Sequence, residues 1–372
     1  TMKGFGTVIT GTLLAGTVSV GDEIEILPSS VRAKVRGIQV HNESVASVDA
    51  GVRTAINVQG IEKSQIERGE VLTTPGTLLP TRRVDAWIEY LATAPRPLKD
   101  RTRIRFHSGT AEVMGEALVL GGSELLPGQG GFIQLVLETP LILLPHDRYV
   151  IRSYSPVHTL GGGEIIDNLA RRHKKKSDAI TNRLPTLKNG TVRDALAIVC
   201  REAGFHGLAA SQMQARLGLE PSRQKVLIEE LAASGKITVF AKDPVEITAP
   251  QVIQELGQIV LKELVDFHKK NPLKIGMLRE ELRARLPYAT SAKLFSFVMD
   301  KLLNAGRVAL SKEHLSLAGS SPTLQDAQKD LQKKILTCYE KAGLMPLTLK
   351  ELLEQLHVAE KEAINLLGLL VR

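Results

Sequence analysis

Glycines, histidines and arginines are the residues here whose spacing could carry chemistry. The run Gly4-Phe5-Gly6-Thr7-Val8-Ile9-Thr10-Gly11 is glycine-rich. A phosphate cradle needs backbone N–H groups at a helix N-terminus and a following lysine. This run feeds a β-branched strand pattern instead, with no Lys-Ser or Lys-Thr behind it. Gly235-Lys236 continues into Ile237, with Glu230 where the leading glycine of such a motif would stand. Neither is a P-loop, so the chain is read as having no nucleotide-hydrolysing site. His107, Asp147 and Ser153 are the residue types of a triad, but none lies on a nucleophile elbow. His107, like His41 and His146, reads as a structural histidine, and no catalytic residue is assigned. Cys200 and Cys338 each fall in a helical apolar pattern, with no C-x-x-C and no cysteine–histidine cluster. Reduced core thiols are expected, and no metal.

What remains is charge, and it is unevenly placed. The 372 residues carry a net +8, of which Thr1 to Ile165 contributes −1 and Ile166 to Arg372 contributes +9. A polyanion partner for the second part is one reading, and a solvated basic surface is the other. Candidate nucleic-acid contacts are the dense stretch Arg171, Arg172, Lys174, Lys175 and Lys176, then Arg223 and Lys225, then Lys293. Lys301 lies on the same helix as Lys293, and Arg279, Arg283 and Arg285 on the helix before it. Glu229, Glu230, Glu280 and Glu281 interleave these charges, so a protein-contact spacer stays open. Aromatics make up only 4%, too few for a base-stacking platform. No apolar run reaches the ~18 residues of a membrane helix, so no membrane span is expected and a cytoplasmic location is the default. The opening Thr1-Met2-Lys3-Gly4 lacks a charged-then-apolar leader, and Leu369-Leu370-Val371-Arg372 breaks off on an apolar run. The chain reads as an internal fragment.

Two kinds of element must position these residues. Up to about Asn168 the pattern alternates with period two in short runs, such as Glu23-Ile24-Glu25-Ile26-Leu27 and Arg103-Ile104-Arg105-Phe106-His107, broken by Gly, Pro, Asn and Asp. That predicts two antiparallel β-barrels, over 1–76 and 77–167, the second completed by a turn at Gly161-Gly162-Gly163. A basic linker is expected over 168–186. Beyond it the apolar spacing becomes helical and the sequence repeats. Leu231-Ala232-Ala233-Ser234-Gly235-Lys236-Ile237-Thr238-Val239 matches Leu302-Leu303-Asn304-Ala305-Gly306-Arg307-Val308-Ala309-Leu310 position for position. Each is a helix end, a glycine suited to the left-handed C′ position, a basic residue and a short β-run. A third copy starts at Ile364. Tandem α/β winged helices are therefore expected over 187–250 and 251–320, with a truncated third over 321–372. The predicted fold class is multidomain: two barrels, then tandem winged helices.

The barrel residues carry a resemblance. Lys3-Gly4-Phe5-Gly6-Thr7-Val8-Ile9-Thr10-Gly11-Thr12 with Val20-Gly21-Asp22-Glu23 resembles the second domain of translational GTPases such as elongation factor Tu. Ala50-Gly51-Val52-Arg53-Thr54-Ala55 and Ile66-Glu67-Arg68-Gly69-Glu70-Val71-Leu72 do so too. His107-Ser108-Gly109-Thr110-Ala111-Glu112-Val113 and Asp147-Arg148-Tyr149-Val150-Ile151-Arg152 look like the third domain. With Ser155-Pro156-Val157-His158-Thr159-Leu160-Gly161-Gly162-Gly163 and the winged helices behind, the whole chain is similar to the bacterial selenocysteine-specific elongation factors, the SelB branch.

The resemblance implies binding of selenocysteinyl-tRNA and its delivery to the ribosome at UGA codons marked by an mRNA hairpin. In that family the first barrel holds the aminoacyl end. A selenol is more acidic than a thiol and is an anion at neutral pH, which a fixed guanidinium selects. Arg53 matches the selenol-facing arginine, and Gly4, Gly6, Thr7 and Gly11 match one wall of its pocket. The Asp-Arg pair that completes the family's pocket, the GTP-binding domain and the hairpin-gripping last winged helix have no counterpart here. GTP and Mg are therefore expected of the full-length parent, and no cofactor of this chain. Two other readings are a winged-helix DNA-binding regulator and the tRNA-binding part of an initiation-type GTPase.

Overall fold

The structure, a computed structural model, describes residues 6–173, 182–272, 274–319, 326–343 and 347–356, with single positions 358, 364 and 367. The chain divides into two compact units. One comprises 1–202, 208–237 and 244–247; the other comprises 203–207, 238–243 and 248–372.

The first domain holds β1 (Thr7–Thr12), β2 (Thr17–Ser19), β3 (Glu23–Leu27), β4 (Val31–Val40), β5 (Glu43–Val45), β6 (Ser47–Asp49), β7 (Arg53–Val58) and β8 (Val71–Thr73). The main sheet runs β1-β7-β4-β3-β8 with β5 on β4, while β2 and β6 form a separate ribbon. One core spans both pieces: Val18 and Val48 of the ribbon cluster with Ile24, Ile26, Val35, Ile38 and Val58 of the sheet. The ribbon thus closes this barrel by packing.

The second domain holds β9 (Thr81–Tyr90), β10 (Leu98–Lys99), β11 (Thr102–Ser108), β12 (Ala111–Val119), β13 (Glu124–Leu125), β14 (Gly130–Leu141), β15 (Arg148–Ser153) and β16 (Thr159–Asp167). Here the hydrogen bonds close a true ring, β11-β12-β14-β9-β16-β15. Side chains alternate across each strand, so Ile104 and Phe106 of β11 and Tyr149 and Ile151 of β15 join Val84, Ile88, Ile133 and Leu135 in the core. The residues between them, Arg103, Arg105 and His107 on β11 and Arg148, Val150 and Arg152 on β15, face outward.

Gly161-Gly162-Gly163, expected as a turn, lies inside β16 and pairs with β15 on one side and β9 on the other. The glycines are there for proximity. A Cβ at Gly163 would stand 2.0 Å from the Trp87 carbonyl oxygen, and one at Gly161 or Gly162 would stand 2.5 Å from that of Glu89 or Tyr149.

The first helical module contains α1 (Leu184–Asn189), α2 (Val192–Ala203), β17 (Leu208–Ala209), α3 (Ala210–Leu217), α4 (Pro221–Ala233), β18 (Thr238–Lys242) and β19 (Val245–Thr248). The second contains α5 (Pro250–Lys270), β20 (Met277–Leu278), α6 (Arg279–Arg285), α7 (Ala292–Asn304), β21 (Val308–Ser311) and β22 (His314–Leu317). The repeat is seen atom by atom. Gly235 has φ +69° and Gly306 φ +62°. Lys236 N–H closes on Leu231 C=O and Arg307 N–H on Leu302 C=O, both at 3.0 Å. Helix α8 (Asp326–Ala342) and α9 (Leu349–Leu356) follow, with Ile335 and Leu352 buried between them. The third repeat copy lies, apart from Ile364 and Leu367, outside the described residues.

Candidate nucleic-acid interface

Arg53 opens β7, just after a turn in which Gly51 N–H bonds Leu13 C=O at 2.8 Å and Leu13 N–H bonds Val52 C=O at 3.1 Å. It is exposed, opposite Thr12 at the end of the β1–β7 ladder. Gly11 is next to it across the ladder, with open space where a Cβ would be. These three lie at one open end of the ladder, where the Arg53 guanidinium is free to meet a small anion.

Gly6 and Thr7 are elsewhere. Thr7 pairs with Val58 at the opposite end of the ladder, roughly 17 Å along the strand at ~3.4 Å per residue. Its hydroxyl is buried and donates to Ile61 C=O at 2.6 Å. Thr7 therefore holds the barrel together, and only Gly11 of the described wall residues stands beside Arg53. Gly4 lies outside the described residues.

The second barrel presents a surface that composition concealed. The outward residues of β11 and β15 give Arg103, Arg105, His107, Arg148 and Arg152 on adjacent strands, with Arg105 opposite Arg152. Tyr154, 46% exposed, lies beside them; the guanidinium carbons of Arg103 and Arg105 stand 4.6 and 5.8 Å from its ring centroid. Counter-charges border the face on both sides: Arg103 meets Glu138 at 3.1 Å and Arg105 meets Glu112 at 3.0 Å, while Glu164 on β16 is in register with Arg148. Such exposed pairs contribute little and exchange readily. Arg148 and Arg152 have no carboxylate partner among the described residues. Arg105 Nε, Arg152 Nε and His107 Nε2 are all buried atoms without a hydrogen-bond partner. Guanidinium groups gathered on one outward face with an aromatic ring suit a phosphate–sugar backbone. The signal in the sequence was the period-two recurrence of basic residues from Arg101 to His107, masked by a domain net charge near zero.

In the arm, much of the basic excess is spent internally. Arg285 pairs with Glu281 at 2.6 Å and Glu263 at 3.8 Å, and Arg283 with Glu280 at 4.0 Å. Arg279 donates to Ser296 Oγ at 3.0 Å and lies over the Phe295 ring. Helix α7, which carries the candidates Lys293 and Lys301, packs against β18. Lys293 at its start donates to Asp243 C=O at 3.4 Å, and Phe240 and Ala241 line a shallow groove with Ser296 and Phe297. Lys301 lies over the Phe297 ring. Arg223 and Lys225 on α4 are exposed, with no ion pair among the described residues. Arg171 is exposed but donates to Glu202 C=O at 3.0 Å, and Arg172 is exposed. Lys174, Lys175 and Lys176 lie outside the described residues. Among the described residues no His/Cys/Asp/Glu group is arranged to hold a metal, and no helix is long and apolar enough to cross a membrane.

A pair of antiparallel barrels of this kind, one bearing an arginine-marked edge and the other a basic outer face, with winged helices behind, defines an elongation-factor-like translation protein. The family models divide the chain in the same way. Residues 6–73 match elongation factor Tu domain 2, 85–172 the beta-barrel domain of selenocysteine-specific elongation factors, and 261–317 the winged helix of elongation factor SelB. The chain belongs to the selenocysteine-specific elongation factor family. The selenocysteine-specific elongation factor of Desulfomicrobium baculatum is 34% identical over 371 residues, all of this chain and 58% of that protein. That of Haemophilus influenzae is 24% identical over 364 residues, 96% of this chain and 56% of that protein. The chain thus spans a little over half the length of these relatives. A crystal structure of a bacterial selenocysteine-specific elongation factor, EF-Sec, shares the fold over 99% of this chain and 65% of its own, with TM-score 0.65 and 19% identity.

Proposed function

We propose that this chain is the RNA-binding part of a selenocysteine-specific translation elongation factor. It binds selenocysteinyl-tRNA and serves its delivery to the ribosome at UGA codons marked by an mRNA hairpin, in the cytoplasm. The observation that carries the reading is the exposed Arg53 guanidinium beside Gly11 and Thr12, within a chain similar along its whole length to such factors. Arg53 selects the selenolate by charge. The basic face of Arg105, Arg148, Arg152 and Tyr154 holds the tRNA backbone without reading which amino acid it carries. GTP and Mg act, on this reading, in the part of the relatives that this chain does not span.

The two roles separate in one experiment, done in a protein extended to the relatives' full length. Arg53→Ala is expected to weaken selenocysteinyl-tRNA at least tenfold more than seryl-tRNA, whereas Arg152→Ala weakens both equally. Equal loss for both tRNAs with Arg53→Ala would remove the selenol-reading role. The packing of α7 against β18 disfavours duplex reading through α7, and the two barrels ahead of the modules disfavour a DNA-binding regulator as the whole.

A further inference from the structure

A cluster of charges that RNA binding does not use lies between the second barrel and the first helical module. The barrel supplies Asp85 from β9, fully buried, and Asp167 from the end of β16, 5% exposed. The module supplies Glu202 from α2 and Arg216 from α3. Arg183, immediately before α1, reaches all three carboxylates: its Nη1 stands 3.4 Å from Asp85, its Nη2 bonds Asp167, and its Nε and Nη2 both bond Glu202. Arg216 stands 3.6 Å from both Asp167 and Glu202. Behind Asp85, His173 Nε2 lies at 2.6 Å and Gln134 Nε2 donates at 2.8 Å.

Neither side could keep these groups dry alone. Burial pushes the Asp85 carboxyl above its ordinary pKa despite the His173 and Gln134 contacts. Burial opposes the charge on Arg183, yet Glu202 and Asp167 more than offset it and hold the guanidinium above its usual value. A buried ionic cluster is a weak source of net stability against an apolar seam, but it accepts only one geometry. Two further contacts, a hydrogen-bonded amide and a cation–π pair, follow the same seam. Asn168 Nδ2 donates to Leu143 C=O of the barrel at 2.7 Å and to Ala215 C=O of the module at 2.6 Å. Lys188 Nζ of α1 lies 4.2 Å from the centroid of the Trp87 ring.

We infer that Arg183 is a positioning residue that latches helices α1–α4 of the first winged helix onto the second barrel in a single orientation, through ion pairs to carboxylates of both. The inference goes beyond the RNA-binding reading and holds whatever ligand the barrels take.

The chain contains its own reporters: Trp87, its one tryptophan, on the barrel side, and the buried Cys200 on the module side. In the wild-type chain, acrylamide quenching of Trp87 at 25 °C is expected to be low, and thermal exposure of Cys200, followed by site-resolved alkylation, is expected to coincide with the Trp87 unfolding transition. Arg183→Met is expected to at least double the quenching constant at 25 °C and to bring Cys200 exposure to a lower temperature than the Trp87 transition. Arg183→Lys, which keeps the charge without the fork, restores the two readouts only in part. Leu196→Ala weakens the module core and is expected to advance Cys200 exposure while leaving Trp87 quenching at 25 °C unchanged, separating a latch from general stability. If Arg183→Met does not fold, Glu202→Gln is measured in its place with the same expectations. Wild-type quenching and coincident transitions in the folded variant would overturn the latch, and so would full rescue by lysine.

Discussion

The second barrel and the helical arm use their charges in opposite ways. The barrels are nearly neutral in total, yet barrel closure sets Arg105 and His107 of β11 beside Arg148 and Arg152 of β15, the last two with no ion pair among the described residues. The arm carries the whole basic excess, yet Arg279, Arg283, Arg285 and Lys293 are each engaged by groups of the arm itself. A strand ladder fixes which residues share a face, so a few cations there add to one field. A short helix followed by a turn scatters them, and i,i+3 or i,i+4 glutamates neutralise them locally. Placement, and not net charge, decides which surface attracts a polyanion.

The largest way to break this comparison is to deform the barrel that aligns the face. In Gly163→Ala the new methyl would meet the Trp87 carbonyl at 2.0 Å, forcing β16 from β9 and shifting β15 with it. A loss of about 3 kcal/mol in unfolding free energy is expected, at the upper end for an overpacked core, measured by chemical denaturation. The adjacent module is a built-in contrast, since Gly235→Ala has free space and costs only left-handed strain, about 1 kcal/mol.

Charge reversal on the intact barrel comes next. Arg105→Glu with Arg152→Glu is expected to weaken tRNA binding by about 100-fold, and Arg152→Ala alone to lower the salt-dependence slope by about one counterion. Filter binding at several salt concentrations measures both. A double reversal with the wild-type slope would place the RNA on another face.

How far the sequence foretold this depends on the kind of signal. Winged-helix repeats were legible because the Gly235 and Gly306 positions demand a left-handed backbone that few other residues tolerate. Gly161-Gly162-Gly163 misled for a related reason: a glycine needed for close strand approach looks the same in sequence as one needed for a turn. Arg53 rests on resemblance alone; the fold places it exposed at the end of the β1–β7 ladder. The basic face was missed because its members come from β11 and β15, some 45 positions apart, and only barrel closure makes them neighbours. Arg183 was hidden in the same way, in a stretch that reads as a solvated linker until Asp85 and Asp167 are brought beside it.

Within the arm, the charges rank by what already holds them. Arg223 and Lys225 are exposed on α4 and carry no ion pair among the described residues, so removing both, Arg223→Ala with Lys225→Ala, is expected to weaken tRNA or ribosome binding by a few-fold, about 1 kcal/mol.

The smallest effect is expected from Arg285→Ala. Its guanidinium bridges Glu281 and Glu263, so the field it presents outward is already cancelled within a few ångströms. Removing it takes away one positive charge but frees two carboxylates on the same surface, which repel a polyanion. If the arm contacted RNA through α6, the loss would reach the several-fold level of the α4 variant. If α6 is a neutralised, solvated surface, RNA affinity changes less than twofold, and thermal stability falls by no more than about 0.5 kcal/mol, as for exposed pairs. Titration of the same RNA with the α4 and α6 variants in parallel, at low salt where surface charge is least screened, ranks the two helices directly. A larger loss from Arg285→Ala than from the α4 pair would reverse the assignment and return the arm's charge to α6.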